Sequence, residues 1–257
     1  MLNKIERIAI RKYNFFCNDV PPSFDGVKIV FLSDIHHGRT FQLEKLKALI
    51  ELTNNLHPDI ILLGGDYVTH DAGSIITFFD AACELSAPLG IFGVLGNHDR
   101  NTDALLSEQC MSEAGITLID NYAVWVYKGD DRIRIGGVGD LTTNIQDIEP
   151  MLEDTIKEDL MILVTHHPDY AELLPENRID LMLSGHTHGG QISFLGKWVP
   201  PWPSAAKLKY LTGVVKEGNT TIIISNGIGT VGPPIRIFAT PQIWEITLRC
   251  TVHKTIN

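Results

Sequence analysis

Cysteine is scarce and unpatterned in this 257-residue chain: Cys17, Cys83, Cys110 and Cys250 form no C-x-x-C pair. Their spacing suggests neither a zinc cage nor a disulfide framework. Buried thiols in a reducing compartment are the expectation. Long apolar runs are missing as well. No stretch approaches the roughly 20 apolar residues that a membrane-spanning helix needs. The opening MLNKIERIAIRKYNF is broken by charge every two or three positions, which reads as no signal peptide. Positive charge is in short supply, with 21 Lys and Arg against 31 Asp and Glu and a formal net charge of -10. That balance argues against a nucleic-acid binder, while acidic side chains remain available as metal ligands. Repeats, low-complexity tracts and convincing linkers are also absent. A composition of 44% hydrophobic and 20% charged residues is that of an ordinary globular protein, read as a single domain over 1–257. The expected location is the cytoplasm.

What the chain has instead is a series of short apolar runs, each followed by Gly, Asp or His. They are KIVFLSD, DIILLGGD, GIFGVLGNHD, IRIGGVGD, LMILVTHH and IDLMLSGH, beginning at Lys28, Asp59, Gly90, Ile133, Leu160 and Ile179. Continuous apolar runs of this length read as strands buried on both faces. Helical spacing lies between several of them. Thr40 is placed to cap a helix carrying Leu43, Leu46, Leu49, Ile50 and Leu52, and Asn101 or Thr102 to cap another ending at Gly115. Later, TTIIIS (Thr220 to Ser225) and QIWEITLRC (Gln242 to Cys250) read as strands with no helix between them. The class is α/β.

The polar residues fall at matching places. Asp34, His36, Asp66, Asn97, His98, His166, His186 and His188 each follow an apolar run. In open α/β sheets, ligands bind beyond the carboxyl ends of the strands, so these residues are expected to converge. Oxygen and nitrogen donors without thiolate suit Mn, Fe, Zn, Co or Ni. Eight candidates exceed what one ion takes, and two ions sharing a carboxylate would use most of them. Such a pair clamps the attacking and leaving oxygens at phosphorus, which points to phosphoester hydrolysis.

The ordered set D-I-H (Asp34, His36), G-D (Gly65, Asp66), G-N-H-D (Gly96 to Asp99), H-H-P-D (His166 to Asp169) and G-H-T-H (Gly185 to His188) resembles the calcineurin-like metallophosphoesterases. PPSFDGVKIVFLSDIHHG, GHTHGGQI and NGIGTVGPPIRIFATPQIWEITL are similar to the bacterial subfamily of YkuE-, YaeI- and LpxG-type phosphodiesterases. Each motif alone is weak, and five in order are specific. The resemblance implies a four-layer α-β-β-α sandwich with two mixed β-sheets. It implies two metal ions, one on Asp34, His36 and His188, the other on Asn97, His166 and His186, with Asp66 bridging. His167 is the near competitor of His166. A metal-bridging hydroxide would attack phosphorus in line. His98 would be a catalytic non-ligand, oriented by Asp99, that stabilises phosphoryl oxygens and protonates the leaving group. A phosphoester is the implied substrate, most simply a diester. The pyrophosphate of UDP-2,3-diacylglucosamine is an alternative within the class, and a catalytically inactive metal-binding scaffold is an alternative outside it.

Other residues keep two readings each. His37 faces substrate or is simply exposed. His70 reaches the site mouth or serves as a cap or surface residue. Asp140 supports the site from behind or ends a turn. The stretch Phe194 to Tyr210 carries Trp198, Trp202 and three lysines. It is either a lip that contacts substrate or the inner membrane face, or a long loop held down by its own tryptophans.

Overall fold

Strands form where both faces of the backbone are to be covered. The computed structural model describes residues 8–192 and 208–251. The six apolar runs supply β2 (Lys28–Leu32), β3 (Ile60–Leu63), β4 (Ile91–Gly93), β7 (Asp131–Gly137), β8 (Met161–Val164) and β9 (Leu181–Ser184). They are joined by β1 (Ala9–Cys17), β5 (Thr117–Leu118), β6 (Tyr122–Lys128), β10 (Gly213–Glu217), β11 (Thr220–Ile224) and β12 (Gln242–Cys250). One sheet runs β1-β12-β2-β3-β4-β5 and the other β10-β11-β9-β8-β7-β6. Both are mixed: β2 to β5 are parallel while β12 is antiparallel to β2, and β7, β8, β9 and β11 are parallel between antiparallel edges.

The two-residue period of a strand divides each apolar run between two cores. Ile29, Phe31, Ile60 and Leu62 point across to Ile135, Ile162, Leu183 and Ile223 of the other sheet. Val30, Leu32, Ile61 and Leu63 point the other way, onto α1 (Leu43–Asn54), α2 (Ala72–Ala82) and α3 (Asn97–Glu113). Phe31 is fully buried between the sheets, and truncating it to alanine costs about 3–5 kcal/mol. The fourth layer is thin. Met161, Leu163 and Met182 meet Met151 of the single-turn α4 (Glu149–Leu152) and Tyr170 of a 3-10 turn.

Two helix starts differ from the sequence reading. α1 begins after Gln42, which gives no side-chain cap, and Thr40 lies outside it. α3 begins at Asn97 and breaks at Asp103, whose carboxylate caps Leu106 N–H at 3.0 Å. Asp103, standing at the break itself, takes the role expected of Asn101 or Thr102.

Candidate metal centre

The residues singled out from sequence stand just past strand ends in both sheets. Asp34 and His36 follow β2, Asp66 follows β3 and Asn97 opens α3 after β4. His166 follows β8, and His186 and His188 follow β9. Local backbone conformation aims several of them. Asp34, His36, Asp66, His186 and His188 all have left-handed φ, between 49° and 67°. Non-glycine residues in this region cost of order 1–3 kcal/mol each and persist only where their surroundings hold them. Asp34 is held by the amides of Ile228 and Gly229, which donate to its carbonyl at 3.1 and 2.7 Å. Space matters as much as conformation. A Cβ on Gly185 would stand 2.2 Å from Asp34 Oδ2, and one on Gly96 2.2 Å from Asp66 Oδ1.

Two groups of donor atoms result. In the first, His188 Nε2 lies 3.5 Å from Asp34 Oδ1 and 3.1 Å from His36 Nε2, which lies 3.6 Å from Asp66 Oδ2. In the second, His166 Nε2 lies 3.3 Å from the same Asp66 Oδ2 and 3.2 Å from His186 Nδ1, which is 3.2 Å from Asn97 Oδ1. Asp34, His36 and His166 are wholly buried, and Asp66 and His188 nearly so. His186 and His188, two residues apart, thus face different groups. His166 points inward, while His167 packs its ring on His186 at 4.1 Å.

These distances suit a shared cation. With metal–nitrogen bonds of roughly 2.0–2.1 Å, two ligand atoms on one ion stand roughly 3.0–3.4 Å apart. His166 Nδ1 donates to Gly64 O at 2.7 Å, leaving Nε2 to face the cluster, as metal-ligating histidines are commonly held. The charge balance agrees. Burial alone would raise the Asp66 carboxyl, but the His166 imidazole beside it lowers it. Burial opposes charge on His166, yet Asp66 raises it well above the usual range. The two shifts are mutual, each group favouring the charged form of the other. His36 and His186 are pushed down to about 3, mainly by burial. Neutral imidazole is the ligating form.

Two expectations need correction, and the open readings of His70 and Asp140 can be placed. Asp99 does not orient His98. Its Oδ1 accepts from the amides of Tyr67 and Val68 at 2.8 and 3.1 Å, and its Oδ2 from Gly96 N–H at 3.0 Å. His98 Nδ1 instead donates to Thr69 O at 2.9 Å. Asp99 thus pins the loop that carries Thr69, with three amide donors on its two oxygens. His37 is neither exposed nor turned to substrate. It is buried, with Nδ1 at 2.9 Å from Phe41 O and Nε2 at 3.0 Å from Thr77 Oγ1. His70, favoured as a surface or capping residue, stays exposed but lies beside the site, its ring centre 5.0 Å from that of His98. Asp140 ends a turn through Oδ1, which accepts from Thr142 and Thr143, while its buried Oδ2 meets no partner among the described residues. Trp198 and Trp202 lie outside the described residues.

The sequence reading missed Arg236. Its guanidinium approaches His188 Nδ1 to 3.2 Å and donates to His188 O at 3.3 Å. The only signal in sequence was one arginine amid apolar residues in the Gly/Pro-rich stretch VGPPIRIFA.

A two-sheet sandwich with Asp, Asn and His donors gathered at its strand ends defines the class of metal-dependent phosphoester hydrolases. The chain belongs to the calcineurin-like phosphoesterase family, whose profile matches residues 27–190. It is 34% identical to the metallophosphoesterase YkuE of Bacillus subtilis, over 90% of this chain and 82% of that one. It is 31% identical to phosphodiesterase YaeI of Escherichia coli, over 91% and 85% respectively. A Bos taurus transmembrane protein with a metallophosphoesterase domain is 30% identical over 97% of this chain but 59% of its own length. Among solved structures, a 5'-nucleotidase precursor from Thermus thermophilus shares the fold with a TM-score of 0.52 at 13% identity, covering 86% of this chain and 54% of that one. No helix among the described residues is long and apolar enough to cross a membrane.

Proposed function

We propose that this metallophosphoesterase is a phosphodiesterase that works with two metal ions, one in each donor group, bridged by Asp66. The observation that carries the reading is the shared position of Asp66 Oδ2, 3.6 Å from His36 Nε2 and 3.3 Å from His166 Nε2. Asp34, His36 and His188 would hold one ion and Asn97, His166 and His186 the other. Their oxygen and nitrogen donors suit Mn, Fe, Zn, Co or Ni. When bound, the ions would lower the pKa of a coordinated water and polarise the phosphoryl oxygens. The name of the relative YaeI supports a diester over a monoester.

The remaining steps fall to side chains. Thr69 O can only accept, so His98 Nδ1 carries a proton and Nε2 is left for substrate. With the ring doubly protonated, Nε2–H would bond a phosphoryl oxygen and then pass its proton to the leaving oxygen. Water adds to phosphorus as the opposite P–O bond breaks, and the proton that water loses restores the ring. The exposed His70 lies beside His98 and would meet a substrate approaching this atom.

The test is to strip the protein with EDTA and assay bis-p-nitrophenyl phosphate before and after adding Mn²⁺. Activity should vanish on stripping and return with about two ions per chain. Full turnover by the stripped protein would overturn the reading. Two bound ions with no turnover of any ester would favour the inactive scaffold.

A further inference from the structure

His188 begins a left-handed turn. Its φ is 52°, and Gly189, Gly190 and Gln191 follow at 59°, 77° and 45°. Two non-glycine residues in this conformation are each disfavoured by about 1–2 kcal/mol, so something must hold the turn. The segment from Val231 to Ala239 does so. Gln191 bonds it through both ends of its amide, donating to Val231 O at 2.8 Å and accepting from Val231 N–H at 2.9 Å. Ile237 N–H donates to Gln191 O at 2.9 Å.

Arg236 is the centre of this clasp. Nη1 donates to Asn226 O at 2.7 Å, Ala239 O at 3.1 Å and His188 O at 3.3 Å. Nε donates to Gly229 O at 3.0 Å, Nη2 bonds the same carbonyl, and Nη2 stands 3.2 Å from His188 Nδ1. No carboxylate is among these partners. Two of the carbonyls it gathers, Asn226 O and Gly229 O, belong to the loop behind the first donor group. Gly229 N–H donates to Asp34 O, and a Cβ on Gly229 would meet His36 Cβ at 2.9 Å. Arg236 thus links the backbone behind Asp34 and His36 to the carbonyl of His188, with its Nη2 beside that ring. None of its hydrogen bonds among the described residues reaches Asn97, His166 or His186. Burial pulls its pKa down to about 10, which leaves it charged at neutral pH.

We infer that Arg236 is a positioning residue for one half of the metal centre: it sets the geometry and occupancy of the Asp34–His36–His188 site and leaves the Asn97–His166–His186 site alone. The inference rests on the two-ion reading above and adds an asymmetry that reading does not contain. A planar fork is required, because one guanidinium must span the Asn226, Gly229 and Ala239 carbonyls and His188 together. Lysine can supply the charge but not the fork.

The experiment is Mn²⁺ titration of chelated full-length protein by calorimetry, with electron paramagnetic resonance to separate coupled from isolated Mn²⁺. Wild type should take two ions and show a coupled pair. Arg236→Met should keep one ion at wild-type affinity and weaken the other at least ten-fold, the scale seen when a ligand loses its support. Its spectrum should be that of isolated Mn²⁺. Arg236→Lys should resemble Arg236→Met, and Arg236→Met combined with His166→Ala should weaken both sites. If Arg236→Met does not fold by circular dichroism, the Arg236→Lys titration decides on the same criteria. Two ions at wild-type affinity in the deciding variant overturn the inference, as does an equal loss at both sites. A wild type that takes up no ion sinks both this inference and the proposed function. Two ions in both proteins sink only this one.

Discussion

His36 Nε2 and His188 Nε2 stand 3.1 Å apart although 152 positions separate them in the chain. One follows a strand of the first sheet and the other a strand of the second. Two imidazole nitrogens brought together by nearly parallel rings in a buried place, beside Asp34 and Asp66, make a donor group on which several consequences depend.

Removing His98 should separate chemistry from metal binding. His98→Ala is expected to lower kcat by about 100-fold or more, the usual contribution of a general acid, with the ion content of wild type. Parallel variants Asp66→Asn and His186→Ala should lose ions and rate together. Ion content measured by plasma mass spectrometry beside diester turnover makes the comparison. His98 stands close enough to His36 and Asp66 to join their donor group, so an emptied metal site in His98→Ala would reassign it as a ligand.

Asp99 should act on stability more than on chemistry. Asp99→Asn turns one acceptor into an amide that faces a backbone N–H. The expected cost is about 1–3 kcal/mol in urea denaturation. A drop in kcat smaller than that of His98→Ala should accompany it, since the Thr69 carbonyl that orients His98 rides on the same loop. Wild-type stability in Asp99→Asn would show that the Tyr67, Val68 and Gly96 amides do not depend on this carboxylate.

Gly185 is required for space, not for backbone conformation. The β-carbon of Gly185→Ala would press on Asp34 Oδ2 at 2.2 Å and on Ser33 Oγ at 2.7 Å. The variant should fold and lose affinity for at least one ion by ten-fold or more, read by calorimetric titration. Wild-type ion binding there would mean that Asp34 can yield without cost.

Asp180 gives the fold a pH dependence remote from the metal centre. Burial pushes its carboxyl up to about 6, although Met161 N–H donates to it at 2.8 Å. The unfolded chain holds it near 3.9. A raised folded value means that its contribution is fully present below about pH 4 and is lost as pH rises through about 6. Asp180→Asn should match wild type near pH 4 and exceed it by about 2 kcal/mol at pH 8, allowing for partial exposure. Urea denaturation at the two pH values measures this, and parallel curves across that range would sink it.

Much of this was readable because the strands carrying the site are covered on both faces. β2, β3, β8 and β9 are buried nearly throughout, and such strands appear in sequence as unbroken apolar runs whose ends mark where polar residues stop being core. Edge strands leave no such mark. β1 (AIRKYNFFC) is mostly uncovered, shows no unbroken apolar run and finds its place by pairing with β12, more than 200 positions away. Backbone donors and acceptors were equally hidden: Thr69 O orients His98, and no side-chain type announces a carbonyl. Arg236 went unread for a related reason, since all but one of its partners are carbonyls.

The donor atoms come from two sheets, four residues from one and three from the other. Each ion would therefore cross the seam between them like a rivet. Separating the sheets would dismantle both sites at once, and loading them would oppose separation by the free energy of binding. Susceptibility to proteolysis at that seam should then follow how much metal the surroundings supply, making persistence of the folded chain a readout of cation availability.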